Sequence, residues 1–212
     1  MRVASEQKSR ADTVLGVVIA GGRSVRFGGE KAVADLAGRP LLIWAAARLQ
    51  KSCAAVAVNA RPGTQAEALA RAEGFAVLHD APGDPAGPLA GVKVGLAWAA
   101  EQGARALAVS PCDAPLLPED LFTRLIEAAG GGAALAETSD GPQPLCSVWP
   151  VTALHAVSQA LVGGAHPPTW RMLESVGAVR VRFEDRAAFA NLNTQADLAA
   201  IAARLDRSHY QR

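Results

Sequence analysis

The hydrophobic positions of this chain fall into two rhythms that alternate along its first 129 residues. Val14, Val17, Val18 and Ile19 form a short β-branched run cut off by Gly21 and Gly22, which predicts a buried strand. Pro40 then leads into Leu41, Leu42, Trp44, Ala45 and Leu49, spaced as one face of a helix ending near Lys51. The alternation repeats. Ala54 to Asn59 predicts a strand, Gln65 to Glu73 a helix stopped by Gly74, and Ala76 to Leu78 a short strand ending at His79-Asp80. Ala81 to Gly87 is too rich in proline and glycine to be regular. Pro88 can be the first residue of a helix with Leu89, Val92, Leu96 and Ala99 on one face. Ala104 to Val109 predicts a fourth strand, and Pro118 with Glu119 and Asp120 predicts the opening of another helix.

Strand and helix in strict alternation predict an α/β fold, a mostly parallel sheet with helices on both faces. Ligands in such folds sit at the carboxyl ends of the strands. Gly21, Asn59, Asp80 and Asp113 each follow a strand candidate at that end. The second half is less regular. It offers strands at Ala133 to Glu137, Gln143 to Trp149 and Val179 to Phe183, a helix near Thr152 to Leu161, and a loop from Gly163 to Thr169. Asn191-Leu192-Asn193-Thr194 precedes a last helix, with Thr194 and Asp197 spaced as a capping box. No internal repeat or dividing linker is visible, so residues 14–206 are expected to be one domain. Residues 1–13 and the stretch from Arg207 onward read as tails.

Composition narrows the partners. Half of the residues are hydrophobic, which excludes a disordered chain, and a formal charge of +1 gives no global field for nucleic acid or a membrane surface. No apolar run approaches a membrane span, and Met1 to Asp12 lacks the apolar core of a signal peptide. Cys53, Cys112 and Cys146 are odd in number and far apart, neither a zinc pattern nor a disulfide framework, which points to a reducing cytoplasm. The four histidines share no ligand-like spacing.

The candidate chemistry begins in Gly21-Gly22-Arg23-Ser24-Val25-Arg26-Phe27-Gly28-Gly29-Glu30-Lys31. Four glycines let the backbone approach a ligand and aim its amides at it, and Arg23, Arg26 and Lys31 add positive charge, a combination suited to a nucleoside triphosphate. Neither the P-loop nor the dinucleotide fingerprint fits, because Lys31 precedes Ala32 and no G-x-G-x-x-G opens a helix. On this stretch alone an ordinary glycine turn with solvated charges fits equally well. Asp113, stiffened by Pro111 and Pro115, suits Mg²⁺, which binds one or two carboxylates together with phosphate oxygens. A turn aspartate is the competing reading, as an Asx-turn is for Asn59 and a plain loop residue for Asp80. Cys112 has no base partner and is not expected to be a nucleophile.

Taken together, several motifs resemble one family. They are Ile19-Ala20-Gly21-Gly22-Arg23-Ser24-x-Arg26-Phe27-Gly28-x-Glu30-Lys31, Val58-Asn59-Ala60-Arg61, Asp80, Gly87-Pro88-Leu89-Ala90-Gly91, Pro111-Cys112-Asp113-Ala114-Pro115, Gln143-Pro144-Leu145 and Asn191-x-Asn193-Thr194. In order and spacing this series resembles the molybdenum cofactor guanylyltransferases. The resemblance implies a Rossmann-like nucleotidyltransferase fold and transfer of GMP from GTP to Mo-molybdopterin, with Mg²⁺. It implies that Ile19, Ala20, Gly21, Gly22, Arg26, Asn59 and Asp80 bind the nucleotide, and that Lys31 (expected to be exposed) and Asp113 are catalytic. Asp113 would carry the metal, Gly21 would select guanine, and Asn191 and Asn193 would lie at the acceptor. Arg171, Arg180 and Arg182 are further candidates for the pterin phosphate, with solvated strand-face charges an equally good reading. Implied partners are cofactor-assembly proteins or apo-molybdoenzymes in transient contact. Glu30 stands where family members usually carry Asp, and Gly163 to Arg171 lacks their denser basic residues. A transferase using CTP or a sugar-phosphate acceptor, and a non-catalytic nucleotide-binding partner in cofactor assembly, are the alternatives.

Overall fold

Residues 13–22 and 27–209 are described by the structure, a computed structural model. Strand β1 (Val14–Ile19) leads through the glycine stretch to a small hairpin, β2 (Asp35–Leu36) and β3 (Arg39–Pro40), and helix α1 (Leu41–Gln50). Next come β4 (Val56–Asn59), α2 (Gln65–Ala72), β5 (Ala76–Leu78), α3 (Pro88–Glu101) and β6 (Ala106–Pro111). The second half holds α4 (Leu121–Ala129), β7 (Ala134–Thr138), β8 (Gly141–Pro150), α5 (Leu154–Ala160), α6 (Thr169–Ser175), β9 (Val179–Arg182) and α7 (Gln195–His209).

Seven strands form one sheet in the order β5-β4-β1-β6-β8-β7-β9. β8 pairs antiparallel with both of its neighbours while the other pairings are parallel, so the sheet is mostly parallel, as the alternating pattern predicts. Both faces are covered, which is why β1 and β6 read as continuous apolar runs. Val14 and Val18 pack with Leu42, Ala45 and Leu49 of α1 on one side. Leu15 and Val17 pack with Leu89, Val92 and Leu96 of α3 on the other. α3 lies very close to the sheet, since a Cβ at Gly95 would stand 2.8 Å from Leu107.

Three expectations need correction. Pro118 does not open a helix: α4 starts at Leu121, because Asp120 has φ −90° and ψ 0° and its side chain makes no cap. Helix α6 begins within the stretch read as loop, at Thr169, directly after Pro167-Pro168. The last helix runs to His209, past the expected start of a tail at Arg207. The Asp35–Pro40 hairpin had no periodic signal, being two strands of two residues joined by Ala37 and Gly38 at positive φ.

Candidate active site

The strand registers place the site. Ile19 lies opposite Asn59 on one side and Pro111 on the other, and Asn59 lies opposite Leu78. The carboxyl ends of β5, β4, β1 and β6 therefore finish in one row. A cavity of about 480 Å³ opens over it, within the size range of small-molecule sites. Ile19, Ala20, Gly21, Gly22, Lys31, Asn59, Asp80 and Asp113 all line this cavity. Arg26 lies outside the described residues.

Lys31 opens a short 3₁₀ turn, Lys31–Val33, and is only 8% exposed, contrary to the expectation of a solvated lysine. Its Nζ donates to Asp113 Oδ2 at 3.0 Å and to Asn193 Oδ1 at 3.1 Å. Glu30, one residue earlier, also lines the cavity, and its Oε2 accepts the Ala66 N–H at 2.8 Å, at the amino end of α2. The carboxylate thereby satisfies one of the free amides of that helix and anchors the glycine stretch to it.

Asn59 is buried at the end of β4. Its Nδ2 donates to Asp80 Oδ1 at 2.9 Å and to the Leu78 carbonyl at 3.3 Å. Its Oδ1 faces α3, where a Cβ at Gly91 would come within 2.5 Å of it. A Cβ at Gly21 would meet Asn59 Oδ1 at 3.6 Å, an ordinary contact. The glycine that the packing requires here is thus Gly91. At the start of α3, Gly87 has the His166 ring pressed on it, so near that a Cβ would fall 1.8 Å from Nε2.

The segment before α7 closes the site from the far end of the chain. Leu192 N–H donates to the Asp113 carbonyl at 2.8 Å. Asp197 Oδ2 accepts the Asn193 and Thr194 N–H groups, both at 2.8 Å, and Asp197 N–H returns to Thr194 Oγ1 at 3.1 Å. This is the reciprocal arrangement that the Thr194/Asp197 spacing predicts. Gln195 Nε2 also donates to the Phe27 carbonyl at 3.2 Å. Asn191 lines a second, smaller cavity of about 200 Å³ with Gln143, Pro144, Cys146 and Phe189. The two cavities share Pro111, Asp113 and Leu145, so Asp113 stands between them. Asn193 lines neither, and reaches the site through Lys31.

The second-half arginines are placed elsewhere. Arg180 bridges Glu137 and Glu174, and Arg182 pairs with Glu184, both on β9 at the outer edge of the sheet. Arg171 stacks over the Trp170 ring at 5.2 Å. Arg61 and Leu145, quoted in the motifs but given no role, also line the cavity, as does Thr64, which lies outside those motifs.

Burial, and then the charge of Asp113, push the Cys112 thiol up to about 12, with Lys31 opposing. It stays protonated at neutral pH and is no nucleophile, as its lack of a base partner predicts. Among the described residues no group of three or more His, Cys, Asp or Glu could cage a metal. Asp113 instead offers one carboxylate, paired with Lys31, in a cavity that Glu30 and Asp80 also line. That donor set fits a hard divalent ion whose remaining ligands are phosphate oxygens and water.

The sequence pattern of the MobA-like NTP transferase domain matches residues 16–179. The chain belongs to this family. A molybdenum cofactor guanylyltransferase of Cereibacter sphaeroides is 40% identical over 189 residues, covering 88% of this chain and 94% of that one. The protein of that name from Cupriavidus taiwanensis is 36% identical over 203 residues, covering 91% and 98%. Among solved structures, the molybdopterin-guanine dinucleotide biosynthesis protein A of Archaeoglobus fulgidus superposes with a TM-score of 0.74 at 22% identity, covering 91% of this chain and 99% of that one. The 4-diphosphocytidyl-2C-methyl-D-erythritol synthase of Anaerococcus prevotii gives 0.70 at 12% identity, covering 92% and 96%. These last two establish the Rossmann-like nucleotidyltransferase fold. As a MobA-like transferase, the chain is an enzyme of nucleotidyl transfer.

Proposed function

We propose that this enzyme transfers GMP from GTP to Mo-molybdopterin, giving molybdopterin guanine dinucleotide and pyrophosphate. The observation that carries this reading is the pairing of Lys31 with Asp113 at 3.0 Å, in a nucleotide-sized cavity at the parallel strand ends. The guanine base and the pterin acceptor rest on the names of relatives up to 40% identical. A terminal phosphate oxygen of the acceptor attacks the α-phosphorus, the bond to the β-phosphate oxygen breaks, and pyrophosphate leaves. Two anions must meet, so the protein has to neutralise charge and align groups, and no protein nucleophile is needed.

Residues 19–22 present their backbone to the nucleotide, Asn59 and Asp80 border the nucleoside, and Lys31 meets the triphosphate. Asp113 would hold Mg²⁺, which when bound supplies charge neutralisation at the phosphates. The smaller cavity with Asn191 suits the acceptor. Because the two cavities share Asp113, a donor in one and an acceptor in the other would meet beside it. We take residues 14–206 as one catalytic domain. Its free thiols suit a reducing cytoplasm, and cofactor-assembly proteins or apo-molybdoenzymes would exchange the pterin with it.

The test is a thermal-shift screen of the four nucleoside triphosphates with Mg²⁺, followed by turnover on Mo-molybdopterin. GTP should stabilise most, and pyrophosphate should appear only with both substrates. Asp113→Asn should keep the fold and lose turnover. Preference for CTP, or wild-type turnover by Asp113→Asn, would overturn the assignment.

A further inference from the structure

The ammonium of Lys31 occupies the position of a counter-ion. It is held from two sides, by Asp113 Oδ2 at 3.0 Å and Asn193 Oδ1 at 3.1 Å, and its side chain is only 10% exposed. An ammonium has three N–H donors, so two are already engaged. Asn193 is itself fixed, because Asp197 takes its backbone N–H at 2.8 Å and the neighbouring Leu192 N–H is tied to the Asp113 carbonyl. The lysine and its aspartate are thus pre-paired by a frame that closes around them.

We propose that Lys31 is the resident counter-ion of Asp113 in the nucleotide-free protein, that Asn193 is the positioning residue that holds it there, and that a divalent metal consequently enters with the nucleotide. This rests on the reading that Asp113 carries the metal. A metal on Asp113 Oδ2, at an ordinary oxygen distance of roughly 2 Å, would meet the ammonium within a few ångströms. Two cations that close in a half-buried site repel far beyond thermal energy. Lys31 must therefore leave, and Asn193, being neutral, cannot replace the charge it gives up. Nucleotide phosphates remove both obstacles: they accept the ammonium and complete the oxygen ligands. Metal and nucleotide then raise each other's affinity by the same factor.

The test uses Mn²⁺ as the probe, with free Mn²⁺ read by electron paramagnetic resonance on the full chain. Wild type is compared with Lys31→Met, Asn193→Ala, Asp113→Asn and the double variant Lys31→Met/Asp113→Asn, each checked by thermal unfolding. Without nucleotide, wild type should bind Mn²⁺ weakly and Lys31→Met about tenfold more tightly or better, the scale expected when one close like charge is removed. Asn193→Ala should show part of that gain. A role confined to folding would lower binding rather than raise it. Adding a GTP analogue with a methylene bridge between the α- and β-phosphorus should tighten Mn²⁺ on wild type. No gain in Lys31→Met overturns the counter-ion role, and no gain in Asn193→Ala overturns the positioning role. If the gain persists in the double variant, Asp113 is not the metal residue, and the reading beneath the proposal fails with it. If Asp113→Asn abolishes nucleotide-dependent Mn²⁺ binding while Lys31→Met gains nothing, only the counter-ion role falls.

Discussion

Asn59 and Asp80, at the ends of neighbouring strands, act as one unit: the Asn59 amide donates to Asp80 Oδ1 at 2.9 Å and to the Leu78 carbonyl at 3.3 Å. A buried amide with both donors engaged has a single orientation, and it sets the orientation of the carboxylate that borders the cavity. Asn59→Asp would set two carboxylates against each other and leave the Leu78 carbonyl without this donor. It should lower stability by about 1–3 kcal/mol in urea unfolding and raise the KM for GTP at least about tenfold. A stability loss with unchanged KM would make the pair purely structural.

Gly91 and Gly21 should respond differently to alanine. A Cβ at Gly91 would stand 2.5 Å from Asn59 Oδ1 and 2.9 Å from Ile19 Cδ1, so Asn59 must move. Gly91→Ala should lose about 1–3 kcal/mol, the overpacking range. At Gly21 the nearest atom is 3.6 Å away. Gly21→Ala should leave stability within about 0.5 kcal/mol and act, if it selects the base, only on the ratio of kcat/KM for GTP and CTP. Chemical denaturation and paired kinetics separate the two.

Glu30 offers a length test. Its carboxylate reaches the Ala66 amide at 2.8 Å. Glu30→Gln keeps an acceptor oxygen at the same reach and should retain most activity. Glu30→Asp is one methylene shorter and should loosen the lysine that follows, lowering kcat/KM while costing roughly 0.5–2 kcal/mol of stability, the scale of a lost helix cap. Equal activity of both variants would remove Glu30 from any positioning role.

Acid should act on the segment before α7. The Asn193 and Thr194 amides hold the Asp197 carboxyl below its usual 3.8. A depressed folded-state value stabilises fully above the unfolded value, and the contribution is lost as pH falls through the folded one. Glu67, lowered to about 2 chiefly by its hydrogen bond to Arg71, acts in the same direction. The melting temperature should therefore fall as pH drops from about 4 toward 2. Asp197→Asn should flatten part of that slope, which thermal melts across this range would read.

Strands β1, β4 and β6 were legible because they are buried on both faces and glycine or a polar residue stands at or just after each end. Ile19, Asn59 and Asp113 could be placed at one edge from that punctuation alone. β8 could not, since nothing in Gln143 to Trp149 encodes direction; its reversal comes from the short turn after β7. Helix α6 was hidden because Pro167-Pro168 reads as loop, although proline also precedes helices readily. The burial of Lys31 was invisible because its partners, Asp113 and Asn193, stand 82 and 162 residues away. Local pattern carries the elements and their order, whereas hydrogen bonds between distant loops depend on how the sheet brings them together.

The closure of Lys31 by Asn193 also sets a timetable for synthesis. Strands β1, β4, β5 and β6 and Asp113 are all made before residue 114, yet the Asn193 partner and the Leu192 tie to the Asp113 carbonyl follow about 80 residues later. At roughly 5–20 residues per second, that is a delay of about 4–16 s on the ribosome. During that interval the emerging chain holds the central strands and both charges of the pair, but not the strap that fixes them. The frame around Lys31 and Asp113 is thus completed only about 80 residues after Asp113 itself has been made.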